Sequence, residues 1–185
     1  MLKKVVLLDR DGTINRDSPD YIKSREEFEF LPGSLEAIKN LTLNGYANFV
    51  ITNQSAVPRN LISLKELDSV HNMMAEEAAR SGGEIKDVFY CPHMPDAGCN
   101  CRKPEPGLIY QARDKYAIEL SETVMVGDSA KDIECAHRAG CGRAVLVKSG
   151  IHGDVEDELK TRQLRADYVA KDLFEAAEWI IGNML

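Results

Sequence analysis

The chain has 185 residues, 44% of them apolar, enough to bury one ordinary core, so a single domain over 1–185 is expected. Its formal net charge of −7 disfavours a polyanion as partner, because nucleic-acid binding needs clustered Lys and Arg to displace counterions. The first apolar run is four residues long before Asp9 and Arg10 end it, so neither a signal peptide nor a membrane span fits.

Short apolar runs at 3–8, 47–52, 87–91, 123–127 and 143–147 alternate with helical patterns, which predicts a parallel sheet with crossover helices. The first helix follows Pro32-Gly33, carries Leu35, Ile38 and Leu41 at helical spacing, and stops at Gly45. A second opens on Ser63 and Glu66, a capping-box pair, and continues through Leu67, Val70 and Met74. Others are predicted after Pro106-Gly107, from Ala130 to Ala139 with Gly140 as stop, and from Asp172 to Ile181. The mixed-charge stretch from Asp154 to Arg165 reads as a solvated helix and turn. Three irregular stretches, 9–33, 53–62 and 92–107, follow strand ends and should gather on one sheet edge, where open α/β sheets bind ligands.

The chemistry-bearing residues fall in those stretches. Asp9-Arg10-Asp11-Gly12-Thr13 puts two carboxylates on one turn, suited to a magnesium ion and a phosphate, although the same residues also make a plain polar turn. Asp128 after the fourth strand would complete a metal site opposite Asp9, or would simply cap the following helix. Thr52 and Asn53 end the second strand with donors for phosphate oxygens, and Lys103 precedes a helix where it would neutralise a transferring phosphoryl group. Five cysteines is an odd number, and Cys91, Cys99 and Cys101 cluster with His93: four ligands for tetrahedral zinc, with no open position for catalysis, in a reducing and therefore cytosolic compartment. Cys135 and Cys141 read as buried small hydrophobes. His71 and His137 are placed on helix surfaces or edges and His152 in a loop, all without a catalytic role.

Taken in order, Asp9-x-Asp11-Gly12-Thr13, Thr52-Asn53, Lys103 and Gly127-Asp128 resemble the four motifs of the haloacid dehalogenase (HAD) superfamily of phosphatases. Cys-x-His, a short loop and Cys-x-Cys-Arg-Lys-Pro, with Thr52-Asn53-Gln54-Ser55, narrow the resemblance to the D-glycero-D-manno-heptose 1,7-bisphosphate 7-phosphatases and the related histidinol-phosphatases, over about residues 3 to 180. The heptose group is favoured by Thr52-Asn53-Gln54-Ser55 and by Arg102-Lys103-Pro104-Glu105-Pro106-Gly107. Ala56-Val57-Pro58-Arg59-Asn60 departs from its pattern, keeping Arg59 and replacing the flanking glycines.

The resemblance implies an α/β, Rossmann-like HAD fold: a central parallel sheet with helices on both faces, no cap domain, and a zinc-binding loop at 91–101. It implies that Asp9 attacks phosphorus and that Asp11 is the general acid and base, with Mg²⁺ on Asp9, Asp128 and the backbone carbonyl of Asp11. Thr52, Asn53 and Lys103 would surround the phosphoryl group, and Arg102 would hold the uncleaved phosphate. Asp17, Ser18, Pro19 and Asp20 match a sugar-contacting loop, and Gln54, Ser55, Arg59 and Ser129 complete the expected substrate contacts. The expected partner is a sugar bisphosphate, cleaved by a cytoplasmic monomer on the way to ADP-heptose for the lipopolysaccharide core, with histidinol phosphate as the alternative substrate.

Overall fold

The structure, a computed structural model, describes residues 1–183. Its six strands are β1 (Val5–Leu8), β2 (Ala47–Asn53), β3 (Ile85–Cys91), β4 (Thr123–Gly127), β5 (Arg143–Val147) and β6 (Tyr168–Ala170). The helices are α1 (Ser34–Leu43), α2 (Leu64–Arg80), α3 (Gly107–Tyr116), α4 (Ala130–Ala139), α5 (Val155–Thr161) and α6 (Leu173–Asn183). All strands pair in parallel in the order β3-β2-β1-β4-β5-β6. That order reverses between β1 and β4, so a crevice opens at the carboxyl ends of those two strands.

Successive residues of β1 serve opposite faces of the sheet. Val6 and Leu8 pack with α1, α2 and α6, while Val5 and Leu7 pack with α3, α4 and α5. All four are fully buried, as a central parallel strand covered on both faces requires. At about 1.5–3 kcal/mol for each large apolar side chain withdrawn from water, this strand is a main anchor of both cores. Lys3 and Lys4 are exposed, so β1 starts at Val5 rather than at residue 3.

Helix ends follow their capping residues. Ser63 caps α2, its Oγ accepting from the Glu66 amide at 3.2 Å while the Glu66 carboxylate accepts from the Ser63 amide at 2.8 Å. The stop of α4 at Gly140 is a left-handed residue with φ 79°. Short β6 has three residues, too few to show alternation, and was not predicted. Neither 9–33 nor 92–106 contains a helix or a strand, so nothing folds over the carboxyl edge of the sheet as a cap. Among the described residues, no helix is long and apolar enough to cross a membrane.

Candidate active site

A cleft of about 460 Å³ lies at the β1/β4 reversal, with Asp9, Asp11, Thr52, Asn53, Lys103 and Asp128 at its foot. They arrive from four strand ends: Asp9 and Asp11 after β1, Thr52 and Asn53 from β2, Lys103 from the loop after β3, and Asp128 after β4. The Asp9 amide donates to the Val126 carbonyl at 2.9 Å, which carries the β1–β4 ladder up to Asp9. Asp9 Oδ1 accepts from the Arg10 amide at 2.7 Å and lies 2.7 Å from Lys103 Nζ. Lys103 Nζ also lies 2.6 Å from Asp132 Oδ1, with both side chains buried.

Lys103 is placed by Asn53, whose Oδ1 accepts from the Lys103 amide at 3.0 Å and whose Nδ2 donates to the Lys103 carbonyl at 3.2 Å. Asn53 therefore grips the lysine backbone with both ends of its amide. Asp132 is in turn held from α4, where Ser129 is the N-cap: the Ser129 amide and Oγ donate to Asp132 Oδ2 at 3.0 and 2.6 Å. Because Ser129 fills the cap, Asp128 is released from that duty and its side chain turns to the cleft.

Electrostatics follow from burial. Asp9, Asp128 and Asp132 place carboxylate oxygens within 4.8 Å of one another, and one ammonium, Lys103, pairs with Asp9 and Asp132. Burial, with Asp132 nearby, raises the Asp9 carboxyl to about 7. Burial, with Asp9 next, raises Asp128 to about 9. Burial opposes charge on Lys103, but Asp132 and Asp9 outweigh it and hold the ammonium well above the ordinary lysine value. Asp128 Oδ2 is buried without a hydrogen-bond partner among the described residues; a Cβ at Gly12 or Gly150 would overlap that carboxylate, so two glycines keep its space open. An excess of carboxylates, an unbonded oxygen and oxygen donors from separate elements fit a hard divalent cation.

Asp11 is handled differently. Its Oδ1 accepts from Arg10 Nε and Nη2 at 3.1 and 2.8 Å and from Asn15 Nδ2 at 3.0 Å, and its Oδ2 accepts from Gln54 Nε2 at 3.0 Å. Burial pushes this carboxyl up, but Arg10, Asn15 and Gln54 together outweigh burial and hold it below the ordinary carboxylate value. Its side chain is absent from the carboxylate cluster that suits a cation.

The second cluster lies beside the cleft. Cys91, at the end of β3, stands 3.2 Å from Cys101 and 3.6 Å from Cys99 by sulfur, and His93 Nδ1 is 3.4 Å from Cys91 and 3.2 Å from Cys101. Sulfur ligands at about 2.3 Å from a tetrahedral zinc are separated by roughly 3.8 Å, so the four groups are grouped as such an ion needs. All three thiols are free of disulfides.

The HAD-hydrolase-like family profile matches residues 100–176. A D-glycero-beta-D-manno-heptose-1,7-bisphosphate 7-phosphatase of Pseudomonas aeruginosa is 45% identical over 81% of this chain and 84% of its own length. A D-glycero-alpha-D-manno-heptose-1,7-bisphosphate 7-phosphatase of Photorhabdus laumondii is 38% identical over 80% and 84%. The crystal structure of D,D-heptose 1,7-bisphosphate phosphatase from Bordetella bronchiseptica, complexed with magnesium and phosphate, superposes with a TM-score of 0.87 at 38% identity, covering 97% of this chain and 98% of that one. This chain belongs to the heptose bisphosphate phosphatase family of HAD hydrolases. The HAD fold expected from the motifs is thus the fold observed.

Within this family member, the cleft also takes in Asp17, Ser18, Pro19, Ser55, Arg59, Arg102 and Ser129. Asp20 lies outside it, on the outer side of the same loop. Gln54 is buried behind the cleft, donating to Thr52 Oγ1 at 2.9 Å as well as to Asp11, and does not line it. Arg59 stacks over the Tyr21 ring at 5.8 Å. His71 also departs from the sequence expectation: it is not on a helix surface but is 5% exposed, with Nε2 3.2 Å from Arg10 Nη1. Burial, reinforced by Arg10, lowers it to about 3 and keeps the ring neutral. His137 is exposed as expected; Cys135 is buried, whereas Cys141 is only half-buried.

Arg10 and Asp132 were given no role from sequence, and His152 was expected in a loop without a catalytic one. Arg10 is fully buried against Asp11, and His152 Nε2 lies 3.6 Å from Asp128 Oδ2. For Asp132 a signal existed: Ser129 and Asp132 have the spacing of a capping box, which would have assigned the cap to Ser129 and freed Asp128.

Proposed function

We propose that this protein hydrolyses the 7-phosphate of D-glycero-D-manno-heptose 1,7-bisphosphate through a phosphorylated Asp9, on the route to ADP-heptose for the lipopolysaccharide core. The observation that carries this is Lys103 Nζ held between Asp9 and Asp132 at the foot of a cleft flanked by cationic Arg59 and Arg102, which suits a substrate with two phosphates. Asp9, held by the Arg10 amide, attacks phosphorus and expels the sugar oxygen. Asp11 gives that oxygen a proton and later takes one from the water that hydrolyses the acyl phosphate. The dianionic phosphoryl group, entering a cleft from which it displaces water, raises the proton affinity of Asp11, the direction the acid role requires. Lys103 and the Thr52 hydroxyl meet the charge on the phosphoryl oxygens, and Arg102 and Arg59 meet the phosphate that stays.

Asp9, Asp128 and the Asp11 backbone carbonyl would hold Mg²⁺, which when bound supplies positive charge that keeps Asp9 ionised and neutralises phosphoryl oxygens. Cys91, His93, Cys99 and Cys101 would hold a structural Zn²⁺ that braces the loop presenting Arg102 and Lys103. The reading extends to one domain over 1–185, acting as a cytoplasmic monomer. The test is phosphate release from both anomers of the bisphosphate beside histidinol phosphate, with Mg²⁺ and with Asp9→Asn as the blank. Preference for the bisphosphate by orders of magnitude over a dead blank is expected; preference for histidinol phosphate overturns the substrate, and no reaction above the blank overturns the activity.

A further inference from the structure

Asp11 has an asymmetric set of partners. A carboxylate offers about four lone-pair directions, two on each oxygen. Oδ1 already accepts three N–H groups, from Arg10 Nε, Arg10 Nη2 and Asn15 Nδ2, whereas Oδ2 accepts one, from Gln54. The open direction is therefore on Oδ2, and Asp11 borders the cleft. Oδ2 is the atom positioned to exchange a proton, and Oδ1 is the atom by which the carboxylate is clamped.

The clamp is only as well aimed as the Arg10 guanidinium, which is 1% exposed and carries its five N–H donors in a rigid planar fork. Nε and Nη2 go to Asp11; Nη1 meets Nε2 of His71 at 3.2 Å. A guanidinium can only donate, so this contact requires an unprotonated His71 Nε2, and burial beside Arg10 keeps the ring neutral. His71 is itself fixed, sitting within α2 with its ring 5.5 Å from that of Tyr90.

We infer that His71 is a positioning residue for the reaction: from α2 it locks the plane of Arg10, which turns Oδ2 of Asp11 toward the leaving oxygen. This rests on the reading of Asp11 as the general acid and base. Without an acceptor at 71, Nη1 is a buried donor left unmet, and the fork rotates to find another partner, carrying Oδ1 with it. The fold keeps its packing while the acid loses its aim.

The experiment separates positioning from mere stability by leaving-group chemistry. Departure of a sugar alkoxide needs the proton from Asp11, whereas nitrophenolate leaves without it. We would measure kcat, KM and kcat/KM on the sugar bisphosphate and on p-nitrophenyl phosphate for the parent and for His71→Met, His71→Gln and Asp11→Asn, with melting curves alongside. Because general acid–base catalysis contributes about 10²–10⁴-fold, a misaimed acid in His71→Met should lower kcat/KM for the sugar ester about tenfold or more, through kcat rather than KM, with the aryl ester changed less than about threefold. His71→Gln, which restores an acceptor, should recover most of the loss. Equal losses on both esters, a loss confined to KM, no loss, or failure of the glutamine to rescue would overturn the inference. If His71→Met does not fold, His71→Leu, which likewise offers Nη1 no acceptor, carries the same contrast. Should Asp11→Asn itself show no alkyl–aryl contrast, the acid assignment of Asp11 fails; if it shows the contrast and His71→Met does not, only the positioning role fails.

Discussion

Lys103→Met is the perturbation whose size the structure sets most directly. Among the described residues Lys103 is the one cation paired with either Asp9 or Asp132, and Asp132 is wholly buried. Removing one partner of a buried ion pair costs about 3–5 kcal/mol, since the other charge stays behind uncompensated. The carboxylates can escape part of that cost by taking protons. Asp9 and Asp128 already stand at about 7 and about 9, and without the ammonium both move further up. A carboxyl whose folded value exceeds its unfolded one contributes stability at low pH that is lost as pH rises through the folded value. The deficit of Lys103→Met relative to the parent should therefore be small near about pH 5 and grow toward about pH 9, read by urea unfolding without metal. Turnover should fall about 10²–10³-fold, the cost of deleting one preorganised charge from a phosphoryl-transfer site. A variant as stable as the parent at the alkaline end, or one keeping more than about a tenth of its turnover, would falsify the placement of Lys103 between the two carboxylates.

Three further outcomes follow from the same geometry. Without Mg²⁺ the melting temperature of the parent should fall as pH rises from about 6 to 9, because the folded state holds protons on Asp9 and Asp128 that the unfolded chain has released, and added Mg²⁺ should flatten that slope; equal slopes with and without the ion would count against these residues as its ligands. On the proposed zinc site, the parent should carry about one zinc by elemental analysis and Cys99→Ser should lose it together with activity, since the loop that ends in Lys103 loses its brace; full turnover in zinc-free protein would sink the bracing role. Ser129→Ala removes the N-cap hydroxyl of α4 and its bond to Asp132 while leaving the amide bond, so stability should drop by about 1 kcal/mol in urea, and a neutral result would show that the cap is made by another group.

The strand-end motifs were legible because each is local. Asp9 and Asp11 sit on one turn, Cys91, His93, Cys99 and Cys101 fall within eleven residues, and α4 runs from Ala130 to its stop at Gly140 with an amphipathic pattern. The boundaries of α2 followed from Ser63 and Glu66 for the same reason, hydrogen bonds that span three residues. By contrast, Asn53 looked like a phosphate donor, and its use as a clamp on the Lys103 backbone, fifty positions away, has no local trace. His71 showed a related limit: its spacing from Leu67 and Met74 puts it on the buried face of α2, but what its ring meets there, a guanidinium 61 residues earlier, has no local trace.

By itself, then, the amino-acid order determined the alternation of strands and helices, the α2 cap, and which strand ends carry carboxylates, lysine and thiols, because those properties depend on periods of two to four residues. Only the tertiary structure decided how those ends are used: that Asp132 shares Lys103 with Asp9, that Asn53 grips the Lys103 backbone, and that Arg10 faces His71 on one side and Asp11 on the other. These pairings form where buried charges must find partners across the sheet, and burial exists only after the chain has closed on itself.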